Sequence, residues 1–145
     1  MDEYVVANIL SPDKSKVYFV KKDKPHKPYL HNKLIGFGGK VEPIDKSIND
    51  ALIREVKEEL DITLDLSQVE ERGFVIDKRM GKVWMFMVYL DYELEEKYVE
   101  NEGFAKYYPL DYFRDNINEF LEGDLVVLEK LFFTDEKLDL DYREL

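Results

Sequence analysis

Three carboxylates on one short stretch carry the most specific chemistry in this sequence. Residues 51–62 read ALIREVKEELDI. On a helix Glu55 stands three residues from Glu58 and four from Glu59, so all three project from one face within about a turn. Like charges placed this way repel one another, which weakens an isolated helix. A hard divalent cation such as Mg2+ or Mn2+ takes oxygen ligands and would offset that repulsion. Just upstream lies Gly38-Gly39-Lys40-Val41-Glu42-Pro43, a glycine loop whose backbone can approach a ligand closely. The bland alternative is a solvated acidic face on which Arg54 pairs with Glu58 one turn on, worth about 0.3 kcal/mol.

The elements around these residues follow from pattern and punctuation. Ser47 is a good N-cap with Asp50 three residues on, and Ile48, Ala51, Leu52, Val56 and Leu60 form an apolar stripe beside the acidic face. Tyr4–Leu10 and Lys16–Lys21 read as a hairpin around the turn residues Ser11-Pro12-Asp13-Lys14. Pro25 and Pro28 make 23–31 a loop, in which His26 and His31 are expected to be solvated. Leu34–Phe37 leads into the glycine loop, and Glu70–Asp77 and Lys82–Leu90 form two strands joined near Arg79-Met80-Gly81. The second has almost no polar interruption and is expected at the centre of a sheet, where Trp84, Phe86 and Tyr89 pack in the core or stack on a nucleobase. The acidic run from Tyr92 to Glu102 reads as a loop. Residues 111–145 are expected to be mainly helical, with Asp124 capping Leu125–Phe133 and a loose, charged tail.

Composition sets the bounds. The 145 residues fit one domain, 1–145, and a hydrophobic share of 45% excludes disorder despite 37% charged residues. With no cysteine there is no disulfide, no thiolate nucleophile and no Cys-bound zinc, which fits a reducing cytosol. A formal net charge of −11 excludes broad binding to nucleic-acid polymers. The chain shows no signal-peptide pattern at its start and no apolar run of membrane-spanning length, so a cytoplasmic protein with no membrane contact is expected.

Gly39, then Arg54-Glu55-Val56-Lys57-Glu58-Glu59, then Ile62 resemble the signature box of the MutT-like Nudix hydrolases. The segment Gly36-Phe37-Gly38-Gly39-Lys40-Val41 resembles the strand and loop that lead into that box. The resemblance implies an α/β/α sandwich with a mixed β-sheet between helices. It implies Mg2+- or Mn2+-dependent hydrolysis of a nucleoside diphosphate linked to a group X, with a small nucleotide as partner. By the same match Glu55, Glu58, Glu59, Glu102 and the carbonyl of Gly38 hold the metal. Glu102 enters because Glu102-Gly103, an aromatic strand and Pro109-Leu110 follow the family's pattern, with Glu100 as runner-up. Arg54 positions the carboxylates, and Glu55 or Glu58 takes the proton of the attacking water. Lys40, and Lys21 or Lys22 at the end of a strand, are expected near the substrate phosphates.

Two positions depart from the box. One residue too many separates Gly39 from Arg54, so that, aligned from the helix, Lys46 falls where the family has a first Glu, with Asp45 beside it. Asp61 replaces the closing glycine, at a helix end where a left-handed Asp is tolerated. The Gly-Phe-Gly-Gly-Lys-Val segment resembles members that cleave nucleoside triphosphates, including oxidised ones. Leu34-Ile35 in place of an aromatic residue and Asn keeps ADP-ribose or a dinucleotide as an alternative. Two other classes remain: a Nudix-like module that binds without turnover, and an acidic α/β protein whose helix imitates the box.

Overall fold

The computed structural model describes residues 1–25 and 27–143; His26, one of the two loop histidines, lies outside the described residues. The chain forms β1 (Glu3–Leu10), β2 (Lys16–Lys22), β3 (Leu34–Ile35), β4 (Phe37–Lys40), α1 (Ile48–Leu60), β5 (Val69–Asp77), β6 (Gly81–Tyr89), β7 (Lys97–Val99), β8 (Gly103–Pro109), α2 (Tyr112–Asp115), α3 (Asp124–Phe133) and β9 (Leu138–Asp141). The strands join in one sheet of order β7-β8-β2-β1-β6-β5-β9. It is mixed as expected: β1 runs parallel to β6 and β5 to β9, and the other pairs are antiparallel.

Period-two alternation sorts the core into two layers. Val5, Ala7, Ile9, Tyr18, Val20, Phe86 and Val88 pack on one face with Ala51, Leu52, Val56 and Leu60 of α1. Val17, Phe19, Val75 and Met87 pack on the other with Val127, Leu128 and Leu131 of α3. Phe86 is fully buried in the α1 layer, Trp84 donates to Glu3 at 2.9 Å, and Tyr89 donates to Glu70 at 2.8 Å. Trp84 is partly buried against the α1 layer and Tyr89 against the α3 layer.

The sheet splits where the glycine segment enters. The N-terminal half of β1 pairs with β4, from Tyr4↔Lys40 to Ala7↔Phe37, whereas Ile9 and Leu10 pair with β2. The far end of β2 pairs with β3. One extended run thus changes partner at Gly36 and wedges the two strands apart. A Cβ at Gly38 would lie 1.8 Å from the carbonyl oxygen of Val5, so only glycine lets β4 run this close to β1.

Two expectations for the C-terminal region need correction. Its tail is a strand, β9, paired parallel to β5; Leu138, Leu140 and Tyr142 alternate with Asp139 and Asp141, a period of two that outweighs the charge of the segment. Asp124 is the first residue of α3 and not its N-cap, because Gly123, at φ 91°, occupies the cap position. A bulge between Glu71 and Phe74 turns Arg72 into the interior. Its guanidinium donates to the carbonyls of Lys130, Leu131, Thr134 and Glu136 at 2.8–3.1 Å, satisfying groups that the end of α3 leaves open. Arg72→Met should lower the free energy of unfolding in urea by about 3 kcal/mol, since those buried acceptors lose their donors. A loss below about 0.5 kcal/mol would show that the clamp is dispensable.

Candidate active site

The helix that carries the acids is fixed at both ends. Ser47 Oγ accepts the Asp50 N–H at 3.1 Å, and the chain leaves α1 through Asp61 in the left-handed region, at φ 57° and ψ 36°. The missing closing glycine therefore does not prolong the helix, and Lys57 Nζ holds the Asp61 carboxylate at 2.6 Å. The apolar stripe seats α1 on the sheet next to β4. This brings the Glu55 carboxylate onto the glycine strand: a Cβ at Gly39 would stand 2.6 Å from it.

Arg54 is the hub of the acidic face. Its Nε and Nη2 donate to the two oxygens of Asp45 at 2.9 and 2.8 Å, a bidentate pair. Nη1 donates to Glu55 at 2.9 Å and reaches Glu58 at 3.3 Å, and Nη2 also donates to the carbonyl of Lys40 at 3.1 Å. The side chain of Asp45, only 4% exposed, accepts the Glu42 N–H as well, and the bonds from Arg54 hold its carboxyl below the usual range. Asp45 is thus the acid that supports the box arginine. Alignment from the helix pointed to Lys46; counting six residues from Gly39 lands on Asp45 and puts the extra residue after it.

The remaining acids separate by environment. Burial raises Glu55 above the ordinary range, opposed by its bond from Arg54. Glu58 is 58% exposed and leans on Arg54. Glu59 is the most enclosed: both carboxylate oxygens are buried without a hydrogen-bond donor. Burial, and then the Glu102 carboxyl within hydrogen-bonding range, push it far above the ordinary carboxylate value. Glu102 arrives from the β7–β8 turn and accepts Lys22 Nζ at 2.6 Å; Glu100, the runner-up, is exposed.

The cations fall differently from expectation. Lys21 aligns with Phe104 and alternates with Tyr18, Val20 and Lys22, so it leaves the sheet on the α3 side, away from the acids. Lys22 is the strand-end lysine that meets them. Lys40 turns Nζ to Asp2 at 3.6 Å, and its contact with the acidic face is the carbonyl that Arg54 uses. His31 is exposed. Gly38, Gly39, Lys22 and Glu102 line one small cavity, beside which sit Ile35 and Gly36.

As the side chains lie, no three Asp, Glu, His or Cys residues among the described residues form a group that could hold a metal ion. Glu58 is drawn to Arg54 and Glu102 to Lys22 in ion pairs. The donor set nevertheless fits such an ion. It is all oxygen, and Glu59 has buried lone pairs that no donor satisfies.

A family model described as the NUDIX domain matches residues 1–128. A comparison with curated proteins gives no match. Among solved structures, a MutT protein from Bacillus halodurans superposes with a TM-score of 0.69 at 18% identity, covering 94% of this chain and 85% of that one. A MutT protein from Methanosarcina mazei gives 0.64 at 20% identity, covering 91% and 92%. The NUDIX domain of Shewanella oneidensis NrtR, complexed with ADP ribose, gives 0.65 at 19% identity, covering 89% and 84%. At such identities these likenesses concern the fold. No helix of the described residues is long and apolar enough to cross a membrane.

The enclosure of Glu59 has a consequence for stability. Its folded-state pKa lies above the unfolded value near 4.5, so the metal-free folded protein binds a proton that the unfolded chain releases. Stability in a chelator should therefore fall as the pH rises from about 4.5 to about 9. Glu59→Gln should flatten that slope and stabilise the metal-free protein at the upper end by about 2 kcal/mol in urea denaturation. Identical profiles for the two proteins would contradict the burial of a charged group.

Proposed function

The chain belongs to the Nudix hydrolase family, and on that premise we propose that it hydrolyses the diphosphate bond of a nucleoside diphosphate linked to a second group X. The observation that carries this proposal is the donor-free Glu59 carboxylate, packed with Glu102 and Glu55 beside the glycine strand. Glu55, Glu58, Glu59, Glu102 and the carbonyl of Gly38 would hold Mg2+ or Mn2+. Bound there, the cation would neutralise phosphate oxygens and acidify a water.

The chain's own groups divide the remaining work. Arg54, anchored by Asp45, positions Glu55 and Glu58 from behind. Between these two, Glu55 is the favoured acceptor of the water's proton, because burial makes it the stronger base. Of the two strand-end lysines expected near the substrate phosphates, Lys22 rather than Lys21 meets them from the end of β2, and Lys40 contributes from the rim.

A nucleoside triphosphate cleaved to NMP and pyrophosphate is the first choice of substrate. A slot beside α3 shares Val6, Ile35, Gly36 and Met80 with the small cavity at Gly38, Gly39 and Glu102. Base and phosphates of one nucleotide can thus occupy adjoining spaces. ADP-ribose or a dinucleotide is the second reading, favoured by an open cleft beyond Glu102 lined by Asp23, Lys24, Tyr98 and Asn101 that offers room for X. Either substrate is a small nucleotide of the kind found free in the cytosol. Against a module that only binds stand the three helix carboxylates Glu55, Glu58 and Glu59 and the Asp45–Arg54 anchor.

Incubation of the protein with NTPs, oxidised dNTPs, ADP-ribose and dinucleotides in Mg2+ or Mn2+, with products separated by chromatography, tests the proposal. NMP plus pyrophosphate is expected first; AMP plus ribose phosphate would establish the second reading. Glu59→Gln should lower turnover by about 10³-fold with the fold retained. Turnover in that variant equal to wild type, or no cleavage of any diphosphate compound, would refute the assignment.

A further inference from the structure

The ion pair between Lys22 and Glu102 stands at a junction. Lys22 Nζ donates to Glu102 at 2.6 Å, and the two side chains are only 16% and 21% exposed. Both residues line the small cavity at Gly38 and Gly39 and also the open cleft bearing Tyr98 and Asn101; among the described residues no other is common to the two spaces. The pair is thus the wall between them. Its backbone is fixed, because Lys22 is in register with Gly103 across β2 and β8 and the Asp23 N–H donates to the Glu102 carbonyl at 2.9 Å. What can move is the lysine stem, four methylenes ending in a compact charge.

Held in this pair, neither group can do the work proposed for it. Glu102 is one of the carboxylates that would hold a divalent cation, and an ammonium kept on it repels that cation across an enclosed space where screening is weak. No other cation can take the place of Lys22. Arg54 is committed to Asp45, Glu55 and Glu58, and Lys40 reaches Asp2. Among the described residues Lys22 is the one cationic side chain in the lining of the small cavity. A single ammonium is therefore required by Glu102 in the bare site and by the phosphates in the loaded one.

We propose that Lys22 is a removable counter-ion: it occupies Glu102 while the site is bare, yields that carboxylate to a divalent cation, and in leaving opens the wall between cavity and cleft and turns its ammonium to the phosphate chain. The exchange couples two binding events. Breaking the pair lowers the affinity of the bare site for a cation, and the phosphate oxygens return that cost when they accept the released ammonium. By reciprocity, a phosphate chain that draws Lys22 away makes Glu102 available to the cation. The inference deepens the proposed function and rests on it for the placement of cation and phosphates, but the exchange can be read from metal binding without turnover.

The test is isothermal titration of the full chain with Mn2+ alone. Lys22→Gln should bind the ion about tenfold more tightly than wild type, because Glu102 is no longer occupied. Lys22→Arg, which keeps the pair, should bind it no more tightly than wild type. Lys21→Gln removes the same charge one residue away on the opposite face of the sheet and should stay within about twofold of wild type. In a Glu102→Gln background the gain from Lys22→Gln should vanish, which assigns it to this pair. The same Lys22→Gln variant should raise KM for the nucleotide that is cleaved by about tenfold. A lysine with a merely structural role would weaken both steps, and one that only bound phosphate would leave the metal affinity alone. Saturable Mn2+ binding that is equal or weaker in Lys22→Gln, or a gain shared by Lys21→Gln, overturns the exchange and leaves the hydrolytic site standing. No saturable binding by wild type or variant removes both.

Discussion

Mutual repulsion among carboxylates is the constraint around which this molecule is arranged. Glu55, Glu59 and Glu102 gather where two of them are substantially buried, a placement that raises the free energy of the folded chain unless counter-charge or protons intervene. Two cations moderate it from opposite sides: Arg54, fixed by Asp45, takes Glu55 and Glu58, and Lys22 takes Glu102. Neither donates to Glu59. A hard divalent ion bound there would relieve the strain left on that residue, so the instability of the bare site and the affinity of a loaded one would have one origin.

The fold makes this crowding possible by bringing backbone against side chain. β3 and β4 wedge between β1 and β2, and the two glycines of β4 do different work there. Gly38 lets the strand pass the Val5 carbonyl, and Gly39 leaves the volume that the Glu55 carboxylate fills. A methyl group at Gly39 would push Glu55 outward and ease the repulsion at the expense of the site. On the opposite face the same wedge forms one wall of the slot bearing Asp124, so a single strand separates the acids from the slot while leaving the two spaces joined at Gly36.

Much of this was legible in the residues themselves. The stripe Ile48, Ala51, Leu52, Val56 and Leu60 gave α1 and its acidic face, because a 3.6-residue period leaves little choice. Glu102 was reached through the resemblance of Glu102-Gly103, the aromatic strand and Pro109-Leu110 to the family's pattern. What pattern did not carry was facing and long-range pairing. Lys21 and Lys22 are equivalent in composition, and only the register of β2 against β8 puts one on each side of the sheet. Asp45 was obscured by one inserted residue, which makes alignment from the helix and from the glycine disagree. Arg72 gave no local signal at all, because its partners lie about sixty residues away and the bulge that turns it inward is a property of the pairing. The β9 strand was masked by its charge, although its alternation was there to count.

The most direct test of the account is the number of protons displaced when the metal binds. Burial, with the Glu102 carboxyl beside it, raises the Glu59 pKa far above the ordinary carboxylate value, so a cation bound there would have to displace the proton of Glu59 at neutral pH. Calorimetric titration in buffers of differing ionisation enthalpy should show saturable binding with release of about one proton near pH 7.5, and Glu59→Gln should abolish the release. Saturable binding without proton release, or weak binding that never saturates, would contradict the claim that buried, mutually repelling carboxylates form the site.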